Sequence, residues 1–282
     1  MENNIIIANP EELQRKINIF REQGINKIHV LADFDKTLTK EFVNGKKITS
    51  IVAILRNEGY LTPDYPERAK ELHSKYYPIE IDTSIPIEEK KDMMLEWWKK
   101  HFELVIKSKL NKSDLANVIN SENIALRKRA KDFFNLLNEL EIPIIIISSS
   151  ALGETISMFI EKENLLFDNI KIISNEFIWD DEGYAIEIKE PIIHIFNKDE
   201  TIISKFPFFD QVKDKKNVIL LGDSLGDLGM IEGFDYDNII KIRFLNENIE
   251  QSLEIYKKSF DVVILNDGDF SYINQLMEQI SQ

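Results

Sequence analysis

The feature that most constrains the fold is a short apolar run that ends in two aspartates. Residues 28–32, Ile-His-Val-Leu-Ala, have the composition of a buried parallel strand, and Asp33 and Asp35 follow within Asp-Phe-Asp-Lys-Thr. A parallel strand delivers its carboxyl end to the crevice where open α/β sheets bind ligands. Two aspartates at this spacing on an extended backbone point the same way, and their repulsion is costly unless a cation or a proton lies between them. The segment therefore indicates a metal site, with a strand followed by an acidic turn as the alternative.

Apolar runs alternate with helical patterns before residue 42 and again after residue 122. Asn9 and Pro10 predict the start of a first helix over 10–23, which Gly24 ends. This alternation predicts an α/β fold with a doubly wound, mostly parallel sheet. The predicted strands are 28–32, 143–147, 171–174, 218–221, 239–244 and 262–265, with a hairpin over 177–188. The further predicted helices are 125–140, 152–163, 248–257 and 271–280.

Residues 42–122 break this alternation and indicate a helical insertion between two strands. Helical patterns cover 48–57, 66–75, 88–109 and 113–119, and residues 79–81 allow a short extended piece. In the clearest helix, Met94, Trp98, Phe102 and Val105 form a core stripe at helical spacing. We therefore predict a core of residues 1–41 and 123–282 and a helical-bundle cap of residues 42–122, with which the helix over 10–23 could also pack.

Composition and charge exclude several classes of partner. The chain has 282 residues, no cysteine and a formal net charge of −14. That charge argues against nucleic-acid duplexes and anionic membranes, and the lack of cysteine excludes disulfides and thiolate chemistry. The N-terminus shows no basic segment before its short apolar run, and no apolar stretch is long enough to span a bilayer. We expect a cytoplasmic monomer without nucleic-acid or membrane partners.

Polar groups follow three of the predicted buried strands. The first strand ends in Asp33 and Asp35, a second runs into the serines at 148–150, and a third leads to Asp223 and Asp227 within Gly-Asp-Ser-Leu-Gly-Asp. Parallel neighbours would bring these ends together along one edge of the sheet. Carboxylates gathered there would repel strongly, and a hard divalent cation with oxygen ligands relieves that repulsion. The sequence therefore predicts a Mg²⁺ site at this edge.

Lys198 follows a further apolar segment, Ile-His-Ile-Phe-Asn at 193–197. Read alone, a lysine in this position is most often a solvated surface residue. In a site that holds Mg²⁺ and a phosphate group, it would supply the compact positive charge that a dianion needs. The sequence by itself leaves both interpretations open.

Taken in order, these motifs resemble a known superfamily. The Asp-x-Asp-x-Thr segment, the strand-end serine, the later lysine and the Gly-Asp-x-x-Gly-Asp segment look like the four motifs of the haloacid dehalogenase superfamily of phosphotransferases. Further segments resemble the cytosolic pyrimidine 5'-nucleotidase family over nearly the whole chain, insertion included. These segments are 33–35, 75–80, 88–90, 96–97, 149–153, 193–198 and 220–227. The resemblance implies a Rossmann-like core with a helical-bundle cap, and Mg²⁺-dependent hydrolysis of nucleoside 5'-monophosphates to nucleoside and phosphate.

The resemblance also implies roles for the residues at the strand ends. Asp33 is the expected nucleophile, which forms an aspartyl-phosphate, and Asp35 is the expected general acid and then general base. We expect Mg²⁺ on the Asp33 carboxylate, the Asp35 backbone carbonyl and Asp223, with Asp227 supporting these ligands. The groups expected to hold the phosphate oxygens are Ser149, Ser150 and Lys198.

In the insertion, the resemblance implies that Glu80, Trp97 and His101 contact the base. Trp97 shares a helical stripe with Met93 and His101, where it could equally belong to the core of the cap. An ionised Glu80 can only accept hydrogen bonds, so it favours a base that presents N–H groups. We therefore expect CMP or a 7-methylguanosine monophosphate to be cleaved better than UMP.

Three places depart from the family's pattern. The family typically carries a His-Asn pair at the start of the cap and a serine one turn after the cap tryptophan, and these places hold Val52-Ala53 and His101. The family's Ser-Ala-Gly loop is Ser-Ser-Ala at 149–151. The hydrolytic core is therefore intact, while part of the base pocket differs. Two alternatives remain: a phosphatase of the same superfamily acting on a different small phosphoester, and a non-catalytic nucleotide-binding scaffold.

Overall fold

A seven-stranded sheet forms the centre of the fold. The computed structural model describes residues 4–48, 50–82 and 84–282. The strands of this part of the chain are β1 (Ile5–Ile7), β2 (Ile28–Ala32), β3 (Phe42–Val43), β4 (Lys46–Lys47), β5 (Ile144–Leu152), β6 (Ile170–Asn175), β7 (Phe177–Trp179), β8 (Ala185–Ile188), β9 (Asn217–Gly222), β10 (Asn238–Leu245) and β11 (Val262–Leu265). The helices are α1 (Pro10–Gln23), α2 (Ile51–Asn57), α3 (Tyr65–Ile81), α4 (Ile87–Lys107), α5 (Lys112–Asn120), α6 (Ala130–Glu139), α7 (Thr155–Lys162), α8 (Glu200–Ile203), α9 (Ile249–Ser259) and α10 (Ser271–Ser281).

The strand order of the central sheet is β1-β11-β10-β9-β2-β5-β6. Every pair in it is parallel except β1 with β11, so the predicted mostly parallel sheet is confirmed. Strand β2 lies between β9 and β5, and Ala32 pairs with Leu221 on one side and Ile146 on the other. The three strands that end in polar residues are therefore direct neighbours.

Alternating side chains divide the core between the two faces of the sheet. On one face, Leu31 and Leu220 pack with Ile203 and Met230. The other face packs against the long helices α1, α6, α7 and α10. Because both faces are covered, the strands are apolar in both directions, as their sequences indicate.

Helix α1 follows the capping signals in its sequence. The side-chain oxygen of Asn9 accepts a hydrogen bond from the Glu12 N–H at 3.1 Å, and Gly24 ends the helix with φ 83°. The buried face of α1 packs on α10 and β10. Its main contacts therefore lie in the core, and not in the insertion, with which the sequence also allowed it to pack.

The insertion contains helices α2 to α5, with α3 and α4 packed along each other. The predicted extended piece at 79–81 is wrong, because these residues form the last turn of α3, which continues through Pro78. Packing along α4 outweighs the local cost of a proline inside the helix. The insertion also contains a small β3–β4 hairpin that was not predicted, although Asn44 and Gly45, at φ 51° and 76°, form a typical two-residue turn.

Two predicted boundaries shift at the edge of the sheet that carries the polar residues. Strand β5 continues through the serines to Leu152, because an irregular pairing with β6 keeps this stretch extended beyond the predicted end at 147. Helix α6 begins at Ala130 and not at 125, because Leu126 forms an antiparallel bridge with Thr39. The two crossings between core and insertion therefore run side by side. No helix in the described parts of the chain combines the length and apolar character needed to cross a membrane.

Candidate active site

Asp33 stands at the point where the three polar strand ends meet. It directly follows β2, and its backbone N–H donates to the Leu221 carbonyl of β9 at 3.0 Å. Its carboxylate is almost fully buried, with 6% of the residue exposed. Asp35 follows in a helical turn over Phe34–Leu38 that is interrupted, because Asp35 is extended and Lys36 is left-handed at φ 58°.

Arg127 holds this interrupted turn, and sequence reasoning gave it no role. Its guanidinium donates to the backbone carbonyls of Lys36 and Thr37, to Asp267 at 2.9 Å and to the Gly268 carbonyl at 2.8 Å. Burial lowers the pKa of Arg127 to about 10, against the opposing effect of the Asp267 carboxylate. Asp267 also accepts from the N–H of Glu41 at 3.0 Å. The turn after β2 and the first crossing to the insertion therefore share one anchor.

Three carboxylates converge beside the end of β2. Oxygen atoms of Asp33, Asp223 and Asp227 lie within 4.8 Å of one another. One oxygen of Asp227 accepts hydrogen bonds from the N–H groups of Asp223 and Ser224, at 3.1 and 2.9 Å, so Asp227 fixes the loop that carries Asp223. All these donors are oxygen atoms, the ligands that hard divalent cations prefer. The donor set fits Mg²⁺.

Lys198 is buried among these carboxylates. Only 2% of the residue is exposed, and its ammonium donates to Asp33 and lies 3.4 Å from Asp227. Burial opposes the charge of Lys198, but Asp33 and Asp227 outweigh it and raise its pKa. The interpretation of Lys198 as a solvated surface residue is therefore wrong.

A second lysine, Lys36, also reaches the carboxylates, and the sequence analysis assigned it no function. Its ammonium donates to Asp223, and 28% of its side chain is exposed. Lys36 belongs to the Asp-x-Asp motif, but its pairing with a loop 187 residues away along the chain could not be read from that motif. The site therefore has two ammonium groups facing a cluster of aspartates.

The serines at the end of β5 contact the second aspartate of the motif. Ser150 donates to the Asp35 carboxylate, and the Ser148 hydroxyl accepts from the Ala151 N–H at 3.1 Å. Ser149 is half-buried, and its carbonyl accepts from the Asn175 side chain at 2.9 Å. The structure thus brings all three serines to the site.

Burial controls the protonation of both aspartates. It raises the pKa of Asp33 well above its usual value, supported by Asp227 and Asp223 and opposed by Lys198. Burial raises the pKa of Asp35 to about 6, against the hydrogen bond from Ser150, which lowers it. A carboxyl group with such a pKa can carry a proton near neutral pH, as a general acid must.

A cavity of about 180 Å³ extends from Ser150 into the insertion. It brings together Val52, Ala53, Trp97 and His101, the positions that sequence reasoning connected with the base. The remaining lining residues are Ser50, Arg56, Ala69, His73, Trp98 and Ser150. Because Ser150 also contacts Asp35, a group attached to a phosphate at the strand ends could enter this cavity.

Glu80 lies elsewhere than the cavity lining. Its backbone carbonyl accepts from the Lys90 ammonium at 2.9 Å. Burial raises the pKa of its carboxyl group, opposed by Lys90, Lys36 and Lys198. Glu80 therefore faces the catalytic lysines, and the structure does not group it with Trp97 and His101.

The aromatic residues of the cavity are packed against other rings. Trp97 stacks on Tyr76, with ring centroids 5.8 Å apart and planes 9° apart, so it belongs partly to the core of the insertion. His101 is 5% exposed, and its Nε2 lies 3.3 Å from the Tyr65 hydroxyl oxygen. Burial, helped by the charge of Arg56, lowers the pKa of His101 to about 4, so its ring is neutral at pH 7.

Comparison with known proteins decides the family. Residues 36–281 match the model of the pyrimidine 5'-nucleotidase (UMPH-1) family. The chain belongs to the pyrimidine 5'-nucleotidase family. The 7-methylguanosine phosphate-specific 5'-nucleotidase of Gallus gallus is 33% identical, over 97% of this chain and 95% of its own length. The Homo sapiens enzyme of the same name is 34% identical, over 99% and 93%.

Solved structures agree with this family. The crystal structure of cytosolic 5'-nucleotidase IIIB bound to cytidine has a TM-score of 0.88 and 31% identity, over 99% of this chain and 94% of that chain. A phosphoserine phosphatase with a phospho-aspartyl intermediate analogue has a TM-score of 0.52 at 17% identity, over 88% and 97%, and this likeness concerns the fold alone. The predicted α/β fold with a helical cap and the predicted enzyme class, a 5'-nucleotidase among phosphoric monoester hydrolases, are confirmed.

Proposed function

We propose that this pyrimidine 5'-nucleotidase family member hydrolyses nucleoside 5'-monophosphates through an aspartyl-phosphate on Asp33. One observation carries the proposal: the Asp33 carboxylate is buried at the strand end, paired with Lys198, and within 4.8 Å of oxygens of Asp223 and Asp227. Asp33 attacks phosphorus, and the bond to the 5'-oxygen breaks. Water then attacks the acyl phosphate, which returns Asp33 and releases inorganic phosphate.

Asp35 is the group that moves the protons in this proposal. In its protonated form it donates to the leaving 5'-oxygen, and in its ionised form it accepts the proton of the attacking water. The raised pKa, about 6, supports the first of these states near neutral pH. Ser150, which donates to Asp35, supports the second, because a hydrogen bond to a carboxylate stabilises its charge.

Mg²⁺ would be held by the carboxylates of Asp33 and Asp223 and by the backbone carbonyl of Asp35. Asp227 would keep the Asp223 loop in place through its two backbone hydrogen bonds. When bound, the ion would neutralise charge on the phosphoryl group. Ser149, Ser150 and Lys198 would hold the phosphoryl oxygens, with Lys198 supplying the positive charge.

Residues 42–122 would form the cap that covers the nucleoside, and residues 1–41 and 123–282 the catalytic core. Trp97 and His101 would contact the base in the cavity, and Glu80 would accept a hydrogen bond from an N–H group of the nucleoside. The base would be a pyrimidine such as cytosine, or 7-methylguanine, as the names of the family and of its relatives suggest. We propose a cytoplasmic monomer with Mg²⁺ as cofactor.

A phosphate-release assay over a panel of substrates tests this function. We expect the highest kcat/KM for a nucleoside 5'-monophosphate, with nucleoside 3'-monophosphates as the matched control. Activity should disappear with a chelator, return with Mg²⁺ and be inhibited by Ca²⁺, which is larger and takes more oxygen ligands. Full turnover in excess chelator would contradict the proposal.

A second function is a phosphatase of the same fold that acts on another small phosphoester. The lining of the cavity by Val52, Ala53 and His101, at the three places that depart from the family's pattern, favours it. The same assay separates the two, because sugar phosphates and phosphoserine would then be cleaved faster than any nucleotide.

A further inference from the structure

The cavity beneath the insertion is the place where this chain distinguishes one leaving group from another. It begins at Ser150, which donates to Asp35, and continues between α2, α3 and α4. Its volume of about 180 Å³ is below the roughly 300–1,000 Å³ of pockets for drug-sized ligands, and suits a single planar base. What the cavity accepts therefore depends on the few polar groups in its walls.

The charge of these walls comes from one residue, Arg56. The ten lining residues include no aspartate or glutamate, and the buried ring of His101 is neutral at pH 7. Arg56 lies on α2, one turn after Val52, and is half-buried. Among the described residues it forms no ion pair, and its one side-chain hydrogen bond, to Asn57, is 3.5 Å long. Its guanidinium therefore keeps donors available for a ligand.

A guanidinium without a carboxylate partner favours some bases over others. It donates hydrogen bonds and accepts none, so it pairs with carbonyl oxygens and unprotonated ring nitrogens. Cytosine and uracil are neutral and present such acceptors. A 7-methylguanine that keeps its N1 proton carries a positive charge and has lost N7 as an acceptor. Two like charges about 6 Å apart, at an effective dielectric constant of about 20, reduce binding by about 100-fold.

Aromatic walls act in the opposite direction, because they attract cations. A cation over a tryptophan ring strengthens binding by about 2- to 30-fold. Here part of that surface is already covered, since Trp97 stacks on Tyr76 and Trp98 packs on Phe102 with centroids 5.3 Å apart. The repulsion by Arg56 therefore outweighs the attraction by the rings.

We propose that Arg56 makes this cavity select a neutral base with acceptor atoms, such as cytosine or uracil, against the cationic 7-methylguanine. This inference rests on the proposed function, because it names the substrate class of the same site. It separates this chain from relatives that carry the name 7-methylguanosine phosphate-specific 5'-nucleotidase, despite about one third sequence identity.

The test compares guanosine with 7-methylguanosine, which differ by one methyl group and one charge, with cytidine as the neutral pyrimidine. Binding is measured by calorimetry at mildly acidic pH, where 7-methylguanosine keeps its N1 proton, and kcat/KM is measured for the three 5'-monophosphates. The wild-type protein should bind cytidine and guanosine more tightly than 7-methylguanosine. Arg56→Gln should raise the ratio of 7-methylguanosine to guanosine binding by about 10- to 100-fold.

Two matched variants control for charge and fold. Arg56→Lys keeps the charge and should keep the selectivity. Arg68→Gln removes the same charge from an exposed arginine of α3 that pairs with Asp64, and should leave the ratio unchanged. An equal ratio in wild type and Arg56→Gln would overturn the inference, as would failure of all three nucleosides to bind. Clear selectivity in binding without hydrolysis of any nucleotide would contradict the proposed function and leave the inference standing.

Discussion

The crevice at the strand ends and the cavity under the insertion meet at Ser150, yet they treat charge in opposite ways. In the crevice, Lys198 pairs with Asp33 and Lys36 pairs with Asp223. In the cavity, Arg56 has no carboxylate beside it among the described residues. Paired charges are already in position for one reaction, whereas an unpaired charge becomes satisfied only by the ligand. The comparison teaches that chemistry and selection occupy separate elements here.

Replacing the nucleophile should have the largest effect and should leave the cavity untouched. Asp33→Asn should reduce phosphate release from every nucleotide by about 10⁴- to 10⁶-fold, because no carboxylate remains to accept the phosphoryl group. Steady-state phosphate release measures the loss. Cytidine binding by calorimetry is the control and should be unchanged. Substantial turnover by this variant would show that the nucleophile is another residue.

Lys198 and Lys36 allow a comparison within the crevice. Lys198→Ala should reduce kcat by about 10²- to 10³-fold, the cost of losing one preorganised charge stabiliser. Lys36→Ala is the matched variant and should cost less, because 28% of its side chain is exposed, against 2% for Lys198, and water screens its charge. Rates for both variants follow from phosphate release at saturating substrate. A near-normal rate for Lys198→Ala would remove it from the proposed mechanism.

Glu80 tests whether selection extends beyond the cavity. A hydrogen bond to a charged group contributes about 1.5–3 kcal/mol, or roughly 10- to 150-fold in preference. Glu80→Ala should reduce the preference for CMP over UMP by up to this factor, and act more on KM than on kcat, because the base is remote from phosphorus. An unchanged ratio of kcat/KM values would show that Glu80 does not contact the base.

Ser150 lies at the junction, and its replacement should have the smallest effect. Burial raises the pKa of Asp35 to about 6 and the Ser150 hydrogen bond lowers it, so Ser150→Ala should raise this pKa further. The protonated acid then persists to higher pH, and the fall of the nucleoside-release step with rising pH should move upward by up to about one unit. Single-turnover rates measured across the pH range check this, and a downward shift would contradict it.

Sequence reasoning predicted the crevice well because its signals are local. Asp33, Asp35 and Asp223 directly follow apolar runs, and the strand order places those runs side by side. The contacts of Arg127 were out of reach, because they join residues 90 and 141 positions apart. Without knowledge of these loops, a single arginine has no distinguishing pattern.

The cavity was predicted less completely, because it depends on how three helices face one another. Trp97 and His101 were found through the resemblance, whereas Arg56 lay in a helical pattern that gave no indication of its direction. Glu80 was grouped with them on the same basis, and the structure places it toward Lys90 and the catalytic lysines. Residues 79–81 also took the wrong secondary structure, since packing along α4 decides it.

The division between crevice and cavity is tested most directly by the decay of the phosphorylated enzyme. Once the nucleoside has left, the same aspartyl-phosphate remains whichever nucleotide supplied it. Rapid acid quench after a single turnover should therefore give one rate constant for its hydrolysis with CMP, UMP and 7-methylguanosine monophosphate, while the rate of its formation differs among them. Hydrolysis rates that follow the identity of the base, or no acid-stable phosphate on Asp33, would contradict the account.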